Sequence, residues 1–217
     1  MMAKAYRFLF LLILSLACIS PVFPTPTRPA EPALHGTAPP SDLIQEKWQT
    51  FTSAAGRFSV LLPAVPVSKT INLPSVKRSL QQFICGTDKE FYLVQYVDGS
   101  ARSIQVLGAE KMLLLADNAF LKANHVVFVS KQNITLNGYP CHEIVANCYD
   151  GRKEIQRTYF VGTRRYTLIT IQPHDQVGEQ SPDAGKFFNS FTLLPPDDHG
   201  KNAPYGKTKF QESTHDY

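Results

Sequence analysis

Hydrophobic and polar positions divide the chain into stretches of different rhythm. A short apolar run covers residues 8–17, a proline-rich stretch with serine, threonine and alanine covers 20–41, and from Trp48 brief apolar runs alternate with turn residues. Alternation with a period of two marks strands and spacing of three and four marks a helix, so the folded body is expected to begin at Trp48. Residues 57–62 (Arg-Phe-Ser-Val-Leu-Leu) read as a strand stopped by Pro63, with Pro66 forcing a turn or an edge behind it. Residues 69–73 form a second strand candidate. Residues 79–85 and 91–98 read as a hairpin around Gly86-Thr87-Asp88-Lys89. In the latter run Tyr92, Val94 and Tyr96 share one face while Phe91, Leu93 and Val97 share the other, which predicts a strand covered on both sides, near the middle of a sheet.

Residues 108–123 carry the clearest helical pattern, with Met112, Leu115, Ala116, Ala119 and Phe120 on one stripe, Glu110 early and Lys122 late. Runs at 126–136, 139–148, 152–160 and 165–172 predict a four-strand meander, turned at Asn137-Gly138, at Asp150-Gly151 and around Gly162. Asn-Gly and Asp-Gly supply the positive φ angles that tight hairpins need. A closing helix over 183–189 precedes a last apolar run at 191–194. This order predicts an α+β fold in which an antiparallel β-sheet is covered by helices.

Before the body, Lys4 and Arg7 precede the apolar run and Pro21 ends it, the layout of a signal peptide over residues 1–17. The run is about half the roughly 20 residues that a membrane-crossing helix needs. Small residues at 15 and 17 predict cleavage after Ala17, and Leu14-Ser15-Leu16-Ala17-Cys18 resembles a bacterial lipobox in which Cys18 would carry lipid. Residues 18–47 then read as a proline-rich tether, 48–194 as the domain and 195–217 as a disordered polar tail. The expected location is extracytoplasmic, in the periplasm or a thylakoid lumen, with Cys18 either anchoring the chain through lipid or merely falling near the cut as a plain thiol.

Charge narrows the partners. The chain has 22 Lys and Arg against 18 Asp and Glu, and the balance is closer still once Lys4 and Arg7 are set aside. Nothing here favours nucleic acid, whose binding depends on clustered cations. Arg152, Lys153, Arg157, Arg164 and Arg165 gather on the last hairpins. They form a candidate docking face for anionic headgroups or an acidic protein surface, set against the simpler reading of a solvated face.

Other chemistry is thin. Cys141 and Cys148 would lie ~23 Å apart on opposite faces of one strand, so a disulfide would join Cys85 to Cys141 or to Cys148, unless all three are small buried hydrophobes. Zinc binding by Cys141, His142, Cys148 and His174 is disfavoured because residues 141 and 142 point to opposite faces. The pairs His142 with Glu143 and Asp98 with Ser100 carry no signal above background. No Gly-x-Ser-x-Gly elbow, His-Glu-x-x-His helix or phosphate-cradling glycine loop occurs, so no enzyme and no cofactor is expected.

Ordered motifs add a resemblance. Gly56-Arg57-Phe58-Ser59-Val60 with Pro63 and Pro66, Tyr92-Leu93-Val94-Gln95-Tyr96, Leu136-Asn137-Gly138-Tyr139-Pro140, Tyr159-Phe160-Val161-Gly162 with Arg165-Tyr166, and Phe187 to Phe191 together resemble a PsbP/Mog1-like domain over residues 48–194. Where bacterial relatives often read Pro-Gly-Arg-Glu after Asn-Gly, this chain has Pro140-Cys141-His142-Glu143. The resemblance implies a non-enzymatic extracytoplasmic accessory or assembly factor whose partner is a membrane protein complex, such as a photosynthetic one, or a membrane surface. The alternative is a binding module for a small apolar ligand or lipid, suggested by the many aromatic residues.

Overall fold

The computed structural model describes residues 47–123, 126–136, 138–173 and 180–195. The expected export signal, Cys18, the tether, His174 and nearly all of the polar tail lie outside them. Seven strands form one antiparallel sheet: β3 (Val67–Leu73), β4 (Arg78–Gly86), β5 (Phe91–Asp98), β6 (Val126–Leu136), β7 (Tyr139–Cys148), β8 (Lys153–Val161) and β9 (Arg164–Gln172). Their spatial order is β3-β4-β5-β9-β8-β7-β6. β5 is therefore interior, as its two apolar faces require, and residues 126–172 form the expected meander.

A second, three-stranded sheet consists of β1 (Gln49–Ser53), β2 (Phe58–Leu62) and β10 (Thr192–Leu193), in the order β1-β2-β10. β1 has no counterpart in the sequence reading, because Gln-Thr-Phe-Thr-Ser has one large apolar residue and four of its five positions are at least partly exposed. Helix α1 (Ala101–Ala123) follows β5 and helix α2 (Pro182–Ser190) follows β9. The first helix starts earlier than its apolar stripe and kinks at Gly108, whose φ of 74° and ψ of 161° are not helical. Pro182 and the Ser181 side chain, which accepts a hydrogen bond from the Ala184 N–H at 3.0 Å, start the second.

The two faces of the large sheet are buried differently. On one, Tyr92, Val94, Tyr96, Cys141, Tyr159, Tyr166 and Leu168 meet Phe58, Val60 and Leu62 of the small sheet together with Phe187, Phe188 and Phe191 at the chain's close. This face is thus covered by a small sheet as well as by a helix, which adds a sheet to the helical covering expected from the sequence. On the other face α1 lies across β6, β7 and β8. Phe120 enters a cluster with Leu73, Leu80, Val97, Ile144 and Ala146, and Met112 and Leu113 pack with Phe160.

Candidate functional site

The strand register gives the large sheet two ends. At one of them Leu73 pairs with Arg78, Asp98 with Arg164, and Val161 with Arg164. Four connecting segments converge there: the β1–β2 turn at 54–57, the short 3-10 turn Pro74–Val76 with Lys77, the β5–α1 link at 99–100, and the β8–β9 turn at 162–163. Each of these segments carries or adjoins a cation, and two of those cations, Arg78 and Arg164, hold Asp98.

Arg164 holds this arrangement together. Its guanidinium donates to both Asp98 oxygens, Nε to Oδ1 at 2.7 Å and Nη2 to Oδ2 at 2.9 Å, while Nη1 donates to the Ala55 carbonyl at 2.7 Å. A forked, charge-assisted contact of this kind is among the stronger polar links a surface can make. The hydrogen bonds to Asp98 raise the pKa of Arg164 above its ordinary value, and its Cζ lies 4.5 Å from the centre of the Tyr96 ring. Arg78 donates to the Asp98 carbonyl. Tyr166 donates to the Gly56 carbonyl at 2.7 Å, fixing the β1–β2 turn above the sheet. Burial raises the Tyr166 pKa, and the hydrogen bond with Arg164 opposes that rise. The Gly99 N–H donates to the Thr163 carbonyl at 2.6 Å, an approach that only glycine allows, since a Cβ there would lie 2.7 Å from the same oxygen.

Three further cations complete the end. Arg57, Lys77 and Arg102 are exposed, and among the described residues they form no salt bridge. Arg57 and Lys77 have φ values of 56° and 51°, the positive-φ non-glycine residues among those described. Such conformations are uncommon for residues with a Cβ and cluster where function constrains the backbone. Five cationic side chains at one end of the sheet, with Asp98 engaged by two of them, make a surface suited to anionic groups, above all to carboxylates that guanidinium forks can grip.

The docking face expected from sequence does not assemble as one surface. Arg164 belongs to this end, but its neighbour Arg165 turns to the other face of the strand, where it is 4% exposed and burial lowers its pKa to about 10. Arg157 is drawn inward, with Nε 2.6 Å from Glu143 Oε2 and its guanidinium over the Phe188 ring. Arg152 pairs with Asp150 at the opposite end of the sheet, and Lys153 beside it is buried. Adjacent residues of a strand alternate in direction, so a dense run of basic letters is split between faces. Sequence reasoning missed Arg57, Lys77, Arg78 and Arg102, which are scattered over four segments. The one local signal was a cation at each of several turns.

The cysteines are corrected as well. Cys85, Cys141 and Cys148 are free and buried. Cys85 and Cys141 share a face, but β5, β9 and β8 stand between their strands, a separation of ~19 Å at the usual strand spacing. Cys148 faces the opposite way. Burial pushes the Cys85 thiol up to about 11 and the Cys141 thiol to about 12.

His142, which looked like background, lies 1% exposed beneath α1. Its Nδ1 is 2.7 Å from Asp117 Oδ2 and its Nε2 is 3.1 Å from Glu110 Oε1, while Lys131 Nζ stands 2.7 Å from the same Asp117 oxygen. The cluster ties α1 to β6 and β7. Among the described residues no group of three or more His, Cys, Asp or Glu is placed to hold a metal ion. Many of the aromatic residues that suggested an apolar-ligand site pack on one another, as Phe58 does on Phe191 at 5.3 Å and Tyr159 on Tyr166 at 5.3 Å.

The chain is similar to the solution structure of cyanobacterial PsbP (CyanoP) from Synechocystis sp. PCC 6803. That match covers 74% of this chain and 99% of the other at 10% identity, with a TM-score of 0.48. No protein-family model and no curated protein sequence matches.

Proposed function

We propose that this protein is a non-enzymatic, extracytoplasmic accessory domain that docks through its cationic end onto an acidic surface of a membrane protein complex. The observation that carries the reading is the presence of Arg57, Lys77, Arg78, Arg102 and Arg164 in or next to the segments at one end of the large sheet, where Arg78 and Arg164 engage Asp98. Export is supported by the basic, then apolar, then proline-bearing start of the chain. A photosynthetic complex is the partner class that the PsbP/Mog1-like motifs imply.

A surface of this kind speeds encounter and selects partners through long-range attraction, which salt screens beyond about 8 Å at physiological ionic strength. Rim charges act mainly in this way. Affinity capture with cross-linking from native membranes tests the reading, run at rising salt and with the pair Arg57→Glu and Arg102→Glu. Both side chains are exposed, so their reversal leaves the core intact. The expected result is one recovered complex, weakened roughly tenfold or more by the reversal and progressively lost as salt rises. Recovery indifferent to both treatments overturns it.

A further inference from the structure

The opposite end of the large sheet has another character. There Val67 pairs with Ile84, Phe91 with Ile171, and Val126 with Cys148. At the β6 corner Val127, Phe128 and Val129 are 54%, 51% and 50% exposed, and Tyr149 in the adjoining turn is 76% exposed. The pairing of β6 with β7 shifts register between Phe128 and Ser130, so Val129 is an inserted residue. Successive residues of a strand turn to opposite faces, so three apolar residues in a row reach both faces of this corner. At the other edge of the same end, Val65 and Val67 are 76% and 70% exposed. Isolated exposed valines are ordinary, but three consecutive large apolar residues beside an exposed tyrosine are not.

Gln49 pairs with Leu62, and Trp48 meets Tyr92 edge-on at 5.6 Å, with Tyr92 opposite Cys85 and Thr170. The described chain therefore begins, at Lys47, towards this end of the sheet, over β5 and away from Asp98. Six strand steps separate β3 from β6, ~29 Å at the usual spacing, so the exposed apolar residues of the β6 corner form a patch of their own. Lys47, Lys89, Lys122 and Lys186 accompany Asp88, Glu90 and the Asp150–Arg152 pair at this end, so charges of both signs are mixed there.

We infer that this end rests on a lipid bilayer, with Phe128, Val127, Val129 and Tyr149 entering the headgroup and acyl boundary and the cationic end turned away. Valine and phenylalanine leave water there, and a tyrosine ring suits the boundary itself. The inference does not depend on the docking reading, because the two ends differ in chemistry: contact made by the apolar end survives salt that removes contact made by the cations.

The test uses the full chain, whose single tryptophan is Trp48. In a Trp48→Phe background, one tryptophan is placed at Phe128, Tyr149 or Arg102, and quenching by brominated phosphatidylcholine vesicles is read at about 0.5 M salt. Tryptophan at 128 and 149 is expected to be quenched at least threefold more than at 102, roughly the contrast between a boundary and a water-exposed position. Equal quenching at all three sites, stronger quenching at 102, or none at any site overturns the inference. Hydrogen exchange of the unaltered chain gives a second reading free of folding effects: vesicles should slow exchange at 126–129 and 149 and leave 99–102 unchanged, and the reverse pattern refutes it.

Discussion

Several single residues carry chemistry that their immediate neighbours in sequence do not announce. Cys85 and Cys141 are packed among aromatic rings, and burial raises both thiols from an ordinary 9.0 to about 11 and about 12. A thiol whose pKa is raised by folding keeps its proton in the native state while the unfolded chain loses it, so stability is complete below pH 9 and falls as pH climbs from about 9 towards 11 and 12. Urea midpoints measured across that range should decline, and Cys141→Val should flatten part of the decline. Below pH 9 both thiols should resist alkylation until the chain unfolds. His142 makes a second case. Its ring bridges Asp117 and Glu110 under the helix, so His142→Leu leaves a buried carboxylate with only Lys131 as its charged partner. Denaturant unfolding is expected to register a loss of about 2–3 kcal/mol.

Among the elements, α1 departs most from its sequence pattern. The stripe of Met112, Ala116, Ala119 and Phe120 is buried as the spacing predicts, yet Leu113 is buried as completely and Leu115 only partly. The helix lies obliquely over β6, β7 and β8, and the sheet's twist decides which side chains it meets. The kink at Gly108 sets that course. Its φ of 74° and ψ of 161° fall in a region essentially reserved for glycine, and a Cβ there would meet nothing within 4 Å. Gly108→Ala should therefore cost backbone strain alone, about 1–3 kcal/mol in thermal or denaturant unfolding. The hairpins were legible for the converse reason: Gly138, Gly151 and Gly162 adopt the positive φ their turns require, at 80°, 86° and 60°. β1 was not legible, because a short strand with one large apolar residue has no alternation to read and is held by its pairing to β2.

At the scale of the molecule the two ends of one sheet differ, cationic at one and apolar at the other, with the described chain beginning towards the apolar end. Such a body can stand on a membrane and present its cations to a partner, so the salt response and the vesicle response should separate cleanly: reversing Arg57 and Arg102 weakens partner capture, while apolar contact with the bilayer persists. The sequence by itself determined the alternating strands, the meander with its turns, the helical stripe and the closing helix. These depend on local periodicity and on backbone preferences of glycine and proline, which neighbouring residues suffice to express. Only the tertiary structure decided that the small sheet covers one face, that Cys85 and Cys141 stand four strands apart, that the basic run of the last hairpins divides between faces, and that Arg57, Lys77, Arg78 and Arg102 belong to the end of the sheet that holds Asp98. Each of these is a relation between segments distant along the chain, set by strand order and register, and no window of sequence contains it.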